Sequence, residues 1–139
     1  MKAVPDCIFC KIASGQLPCE KILEDEYSLA FMDIGPVVLG HTLLVPRQHG
    51  ETIEDLPEDT AAGMLKNLPR LVRAVRLGTG CEGVNVLQNN GRIAGQVVPH
   101  VHFHIIPRDK GSEFQFNWPA GRYEEGQMQE IAGNIRDNL

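Results

Sequence analysis

Three of the five histidines in this chain occupy alternate positions in the segment 100–106, which reads HVHFHII. In a β-strand alternate side chains share a face, so His100, His102 and His104 would form a row, roughly 6.5–7 Å apart at the backbone, while the alternate apolar residues Val101, Phe103 and Ile105 face a core. A neutral imidazole is a good nucleophile towards phosphorus. Its unperturbed pKa of about 6.5 leaves it mostly neutral near pH 7. The row therefore predicts attack on a phosphoryl group, with a solvated polar face or a metal-binding row as the alternatives.

The loop before the histidines, residues 89–96, reads NNGRIAGQ. Asn89 and Gln96 offer amide groups, and the two glycines allow backbone N–H groups to approach an anion closely. The loop lacks the Gly-Lys-Ser/Thr ending of a P-loop. We therefore expect neutral donors, rather than lysine and arginine, to hold an anionic substrate.

Cys7 and Cys10 form a CxxC pair, which is the spacing used by structural zinc sites. A tetrahedral site needs two further ligands, and the chain has no second CxxC. His49 and His100 are the best candidates, giving a Cys₂His₂ set. The alternative interpretation is a pair of free thiols.

Short strands and one long helix are predicted to position these residues. The segment 58–77 carries apolar residues at i, i+3, i+4 and i+7, typical of an amphipathic helix, with Gly78 at its end and a kink or break at Pro69. An antiparallel α+β domain of about five strands follows from short strands mostly joined by tight turns. We expect helical turns at 7–13, strands at 21–24, 29–33, 42–45, 84–88 and 100–106, and a terminal helix at 127–139.

The bulk composition favours one soluble globular domain over residues 1–139, with a flexible lead at 1–6 and a C-terminal extension at 119–139. Hydrophobic residues make up 42% and charged residues 22% of the chain, and the formal net charge is −5. The chain has no Lys/Arg cluster of the kind that nucleic-acid-binding proteins carry, so we expect no nucleic-acid partner. The chain also has no apolar run near 18 residues and no signal-peptide pattern, so we expect neither a membrane partner nor export. We therefore expect a cytoplasmic protein with reduced cysteines.

Several ordered segments together resemble the histidine triad family of nucleotide hydrolases. The resemblance runs from CIFCKI at 7–12 through AFMDI at 30–34, GHTLLVP at 40–46 and AGQ at 94–96 to the triad itself and Trp118. It is strongest for the bacterial purine-nucleoside phosphoramidase branch with an N-terminal CxxC zinc site. The resemblance implies a histidine triad fold, a homodimer with joined sheets, and a structural zinc held by Cys7, Cys10, His49 and His100.

The resemblance also assigns roles within the site. His102 would attack the α-phosphorus of a purine nucleotide, forming a nucleotidyl-histidine that water hydrolyses to the nucleoside monophosphate. His104 and His41 would donate to phosphoryl oxygens, and His100 would orient His102. Asp33 would accept from the ribose hydroxyls; a turn carboxylate is the alternative for it. Further substrate contacts are implied for Asn89, Gly95 and Gln96 at the phosphate or leaving group, and for Ile8, Phe9, Phe31 and Ile34 as a purine slot; ordinary core packing is the alternative for the last four.

One position departs from the family pattern. Val97 stands where many members carry Ser or Thr, and valine cannot hydrogen-bond a leaving group. Dinucleoside polyphosphates of the diadenosine tetraphosphate type are therefore an alternative substrate class to phosphoramidates. A regulatory purine-nucleotide-binding module and a plain metal-binding protein are alternatives to an enzyme.

The aromatic residues Phe114, Phe116 and Trp118 alternate near the C-terminus. They are consistent with a strand or with an extended arm. By resemblance such an arm shapes leaving-group specificity; simple core packing is the alternative.

Overall fold

The computed structural model describes residues 3–139, and its five strands form one antiparallel sheet. The strands are β1 (Lys21–Glu24), β2 (Ser28–Met32), β3 (Thr42–Pro46), β4 (Gly83–Gln88) and β5 (Phe103–Arg108). They lie in the order β1-β2-β3-β5-β4. The helices are α1 (Ile8–Ala13), α2 (Glu58–Leu65), α3 (Leu68–Thr79) and α4 (Gln127–Arg136). This architecture confirms the predicted α+β fold with a five-stranded antiparallel sheet.

Both faces of the sheet are covered, so its central strands are buried almost throughout. Along β3, Leu44 packs with the apolar residues of α2 and α3. Its neighbours Leu43 and Val45 point to the opposite face, where they pack with Phe9 of α1. Alternation along a strand produces this division. It leaves one layer of helices behind the sheet and the short α1 in front of it.

The predicted single helix over 58–77 is two helices, and the break comes before Pro69 rather than at it. Asn67 lies between α2 and α3, 2% exposed. Its amide donates to Asp25 Oδ2 at 2.7 Å and to Ser28 Oγ at 2.9 Å. Pro69 occupies the first turn of α3, where its missing N–H costs nothing. The second helix continues past Gly78 to Thr79 and is terminated by Gly80 at φ 71°.

The predicted strand over 100–106 is only partly correct, because β5 begins at Phe103. The approach to it makes other hydrogen bonds: the N–H of His100 donates to Val98 O and that of Val101 donates to Gly50 O. Pro99 has no N–H to offer a neighbouring strand. Val101 and Ile105 are buried in the core as the alternation predicts. His100 and His102 are 0% and 6% exposed and His104 is half-buried, which argues against the alternative of a solvated polar face.

The two ends of the chain differ in how they attach to this core. At the N-terminus, the carbonyl oxygen of Val4 accepts from Cys7 N and its N–H donates to Cys10 Sγ. Val4 lies within the segment 1–6 predicted to be flexible; residues 1 and 2 of that segment lie outside the described part. At the C-terminus, α4 confirms the predicted helix but is shorter and buries none of its residues. Phe114, Phe116 and Trp118 form an arm of successive ring contacts outside any strand, with Trp118 73% exposed.

Across residues 3–139, no helix combines the length and apolar character needed to span a bilayer.

Candidate active site

A cavity of about 580 Å³ opens on the α1 side of the sheet, and we call it the triad cavity. It lies where α1, the ends of β2 and β3 and the approach to β5 meet. Most of the residues predicted for the active site line this cavity, although they lie far apart in the sequence. The predicted residues that line it are Ile8, Phe9, Phe31, Asp33, Ile34, His41, His102 and His104.

His102 is held in one tautomer. Its Nδ1 lies 2.7 Å from the backbone carbonyl oxygen of His100. A carbonyl only accepts, so Nδ1 carries the hydrogen of the neutral ring and Nε2 keeps its lone pair. The edge of Phe9 packs on the ring, with centroids 5.2 Å apart. In the neutral ring, the Nε2 atom of His102 therefore keeps a lone pair that can attack an electrophile or accept a proton.

His41 and His104 form a directed pair beside it. The N–H of Val37 donates to His41 Nδ1 at 3.2 Å, so His41 carries its proton on Nε2. That Nε2 lies 2.9 Å from His104 Nδ1, which must then accept. His104 therefore carries its own proton on Nε2. Because the rings of His102 and His104 are 4.8 Å apart between centroids, this N–H is a donor next to the His102 ring.

Burial keeps this pair neutral. It lowers the pKa of His104 to about 4, with the neighbouring His102 and His41 adding to the effect and the Asp33 charge opposing it. Burial likewise lowers the pKa of His41, partly offset by Asp33. Neutral rings can hold the tautomers just described, whereas a protonated His104 would lose its acceptor and break the pair.

Asp33 follows β2 at the entrance to the cavity. One carboxylate oxygen accepts from the backbone N–H of Gly35 at 2.8 Å, which is the turn role considered for it. The other lies 3.6 Å from His41 Nε2. The residue is only partly buried and still lines the cavity, so the turn bond fixes a carboxylate that faces the ligand space.

The apolar lining divides into buried walls and an exposed rim. Phe9 and Phe31 are 6% and 3% exposed and meet edge to face at 5.7 Å between centroids. Ile8 is 44% and Ile34 97% exposed, so these two are not ordinary core residues. A flat apolar ligand would bury them. Lining residues that the sequence did not single out are Ile12, Leu17, Pro18, Cys19, Met32, Leu43 and Val98. They come from α1, the segment after it, β2, β3 and the segment before the triad, and as ordinary apolar residues they give no local signal for a ligand site.

The loop before the triad is held by Gln96. Its side-chain N–H groups donate to Glu51 O at 2.6 Å and Val98 O at 3.0 Å, and its oxygen accepts from Gly91 N at 2.8 Å. The loop needs Gly91 and Gly95, at φ 87° and 95°. Gln96, Gly95 and Asn89 do not line the triad cavity, and Gln96 is 5% exposed. In this structure Gln96 shapes the loop, and the predicted ligand contacts of these three residues stay predictions.

Val97 projects from this loop into the cavity. It is 84% exposed and lines the same space as His102 and His104. It also lines an adjoining depression of about 290 Å³ with Arg92, Gly95 and Gln96. Among the described residues that line the triad cavity itself, none is a lysine or an arginine.

His100 points away from the cavity, into a cluster with Cys7, Cys10 and His49 that we call the cysteine–histidine cluster. Its Nδ1 lies 3.2 Å from Cys7 Sγ, 3.6 Å from Cys10 Sγ and 3.2 Å from His49 Nδ1. Cys10 Sγ and His49 Nδ1 are 3.5 Å apart. Bonds of about 2.3 Å to sulfur and about 2.0–2.1 Å to nitrogen around a tetrahedral zinc separate ligand atoms by about 3.3–3.8 Å. The four predicted ligands therefore fit zinc.

The surroundings of the cluster also suit a metal. His100 Nε2 donates to Pro46 O at 2.9 Å, leaving the Nδ1 lone pair to face the other ligands. Burial lowers the pKa of His100 to about 4, which keeps it neutral. Backbone N–H groups point at both sulfurs, from Cys10 to Cys7 and from Val4 to Cys10. Burial raises the pKa of Cys10, so a metal ion would displace its proton on binding.

The comparison with known proteins agrees with the resemblance to the histidine triad family. A family model described as the HIT domain matches residues 14–111. The adenosine 5'-monophosphoramidase of Saccharomyces cerevisiae is 46% identical over 115 residues, 82% of this chain and 70% of that protein. A solved HIT family protein of Bacillus subtilis superposes with a TM-score of 0.91 at 41% identity, covering 96% of this chain and 97% of that one.

A zinc-bound histidine triad family protein of Mycobacterium smegmatis superposes with a TM-score of 0.74 at 36% identity, over 96% of this chain and 98% of that one. The matched domain contains the whole triad and the loop before it. On the strength of the domain match and these relatives, the chain belongs to the histidine triad (HIT) family.

Proposed function

We propose that this protein hydrolyses purine nucleotides at the α-phosphorus and releases the nucleoside monophosphate. The observation that carries the proposal is the single tautomer of His102, whose Nε2 lone pair is free in the triad cavity while its Nδ1–H is committed to His100 O. A binding module would have no need of an aligned nucleophile. The yeast relative, named an adenosine 5'-monophosphoramidase, supports the same chemistry.

The proposed reaction has two displacements at phosphorus. His102 Nε2 attacks the α-phosphorus, the bond to the leaving group breaks, and a nucleotidyl-histidine forms. Water then attacks the same phosphorus, the bond to His102 breaks, and the nucleoside monophosphate leaves. The Nε2–H of His104 stabilises negative charge on the phosphoryl oxygens in both steps, because the His41 hydrogen bond holds His104 in the donating tautomer.

The apolar end of the cavity is proposed to hold the base. Phe9 and Phe31 offer the buried walls, and Ile8 and Ile34 are exposed apolar residues that a purine would cover. The Asp33 carboxylate, fixed by Gly35 N, would accept from the ribose hydroxyls. Neutral donors are expected to hold the phosphoryl group, since no lysine or arginine is among the described residues lining this cavity.

Dinucleoside polyphosphates are the second candidate substrate class. Arg92 shares the adjoining depression with Val97, so a leaving group with further phosphates would meet a cation there. Adenosine 5'-phosphoramidate has no such phosphates. Turnover of both substrates by wild type and Arg92→Ala decides between them: a loss confined to diadenosine tetraphosphate would favour the second class, and equal rates of the two proteins on both substrates would favour the first.

The test of the enzyme itself is His102→Gly. We expect it to bind adenosine monophosphate but to release none from adenosine 5'-phosphoramidate, measured by chromatography of the products. Release at the wild-type rate would contradict the proposal. Unaltered circular dichroism of the variant would show that the fold is intact.

We further propose that the cysteine–histidine cluster binds one structural zinc ion. Zinc would cross-link α1 to the segment that precedes β5 and would take no part in the reaction. Cys7 and Cys10 are free thiols in the structure, as this ligand set requires. Metal analysis of purified wild type should give about one zinc per chain, against almost none for Cys10→Ser.

A homodimer is proposed through the β4 edge of the sheet. The strand order leaves β4 with β5 as its one neighbour within the sheet, and an unpaired edge is a template for another strand. Light scattering should give twice the chain mass of 15.4 kDa.

A further inference from the structure

The cysteine–histidine cluster and the triad cavity share the same short pieces of chain. Cys7 and Cys10 flank Phe9, so α1 turns its sulfurs towards the cluster and its aromatic ring towards the cavity. His100 lies two residues before His102 and reaches the cluster with its ring.

The first connection runs through the backbone of His100. Its ring is fixed between Pro46 O and the two sulfurs. Its carbonyl oxygen, on the same residue, accepts the Nδ1–H of His102 at 2.7 Å. The direction of that carbonyl therefore depends on the group that holds the ring.

The second connection runs through Phe9. Its ring meets the ring of His100 at 5.7 Å and that of His102 at 5.2 Å between centroids, both edge to face. It is also a wall of the cavity. One aromatic side chain thus touches a cluster ligand, the nucleophile and the ligand space.

The helix that carries Phe9 cannot hold itself in place. It has six residues, far fewer than an isolated helix needs in water. Apart from bonds to its neighbours in sequence, its side-chain and carbonyl hydrogen bonds are those of Cys7 and Cys10 to the cluster histidines and that of Ala13 O with Arg47 at 3.0 Å. Without an ion, the cluster end of α1 is held by weak contacts between sulfur and imidazole and by the packing of Phe9 against the sheet.

We propose that the cysteine–histidine cluster is a metal-dependent positioning device: ion binding there orders α1 and the His100 carbonyl, and thereby sets both nucleotide affinity and the tautomer of His102. This inference rests on the proposed zinc site and nucleotide function. In it Cys7, Cys10, His49 and His100 act through Phe9 and His102, and none of them touches the nucleotide.

By thermodynamic linkage, the effects of zinc and nucleotide on each other's affinity must be equal. If zinc raises the affinity for adenosine monophosphate by some factor, the nucleotide raises the affinity for zinc by the same factor. Coupling between two sites in one domain is commonly about 5–150-fold. We expect a value in this range because the two sites share Phe9 and the 100–102 segment.

The experiment compares zinc-loaded and chelator-stripped full-length protein. Calorimetry with adenosine monophosphate should give at least about fivefold weaker binding to the stripped protein. A zinc titration against a competing chelator should shift by the same factor when the nucleotide is saturating. Equal nucleotide affinity of the two forms, with zinc uptake demonstrated, would overturn the inference and leave the proposed zinc site and enzyme activity standing.

Nitrogen-15 NMR of His102 separates positioning from mere stabilisation. The loaded protein should show a single Nδ1–H tautomer, and the stripped protein a mixture. A single tautomer in both forms would contradict the proposal, because loss of fold stability alone does not change the ring of a folded molecule. Absence of any zinc uptake would instead refute the zinc site, and this inference with it.

Matched cysteine variants complete the test. Cys10→Ser in the presence of zinc should behave as the stripped wild type does. Cys81→Ser is the control: Cys81 is equally buried, but its sulfur donates to Gly83 O at 3.1 Å, a bond that serine can keep. We expect it to match the loaded wild type in nucleotide affinity and zinc content; a loss equal to that of Cys10→Ser would contradict the assignment to the cluster.

Discussion

The Nδ1 atom of His102 lies 2.7 Å from the carbonyl oxygen of His100. This contact gives His100 two roles through different atoms. Its side chain belongs to the cysteine–histidine cluster, and its backbone orients the proposed nucleophile. The triad is therefore not a row of three equivalent imidazoles: His100 faces the cysteine–histidine cluster, His102 has its Nδ1–H bound to a backbone carbonyl, and His104 accepts from His41.

The donor role of His104 predicts its behaviour in a pH titration. Because burial first, and neighbouring histidines second, lower the pKa of His104 to about 4, its ring should stay in the Nε2–H tautomer from pH 8 to about pH 5. Nitrogen-15 NMR of the imidazole measures this. A midpoint near the ordinary value of about 6.5, or the Nδ1–H tautomer, would contradict the directed pair.

The lowered pKa of His104 also makes the stability of the folded protein depend on pH. An unfolded chain protonates His104 near pH 6.5, whereas the folded protein resists until about pH 4. The stability that this residue contributes is thus fully present above pH 6.5 and is lost as the pH falls towards 4.

We predict that the main role of Gln96 is to hold the conformation of the loop at 89–96 through its side-chain hydrogen bonds. Gln96→Glu would place a carboxylate oxygen against Glu51 O and Val98 O in place of the donor that both now share. We expect a loss of about 1–3 kcal/mol in the free energy of unfolding, measured by urea denaturation, together with a lower kcat/KM. Gln16→Glu, on an exposed side chain after α1, should change neither. Wild-type stability of Gln96→Glu would show that these bonds do not hold the loop.

We predict that Val97 lowers kcat because it cannot donate a hydrogen bond to the leaving group. A hydroxyl in its place can donate to a departing nitrogen, so Val97→Ser should raise kcat on adenosine 5'-phosphoramidate by about tenfold, the effect of one hydrogen bond worth about 1.4 kcal/mol. Steady-state kinetics measures this. Ile93→Ser is the control, since Ile93 is equally exposed but does not line the cavity. Unchanged turnover of Val97→Ser would show that position 97 does not reach the leaving group.

Much of the site was predictable because its signals are local. Alternation of apolar residues placed Val101 and Ile105 in the core, and the CxxC spacing identified two of the cluster residues. The resemblance then supplied distant partners such as His41 and Asp33, which the cavity brings together with His102. The sheet followed from short apolar segments that turns join.

The errors come from side chains that bond across the fold. The helix break depends on Asn67 reaching Asp25 and Ser28, which are about 40 residues away in sequence. The late start of β5 depends on Val101 bonding Gly50 O. The burial of His100 depends on α1 closing over it. None of these partners is visible in a window of neighbouring residues.

The central claim, covalent catalysis by His102, is tested most directly by trapping the intermediate. Wild-type protein mixed with excess adenosine 5'-phosphoramidate and quenched within one turnover should carry one adenylyl group, and peptide mass spectrometry should locate it on His102. His102→Gly should carry none. An adduct on another residue, or full turnover by His102→Gly with no adduct, would contradict the account.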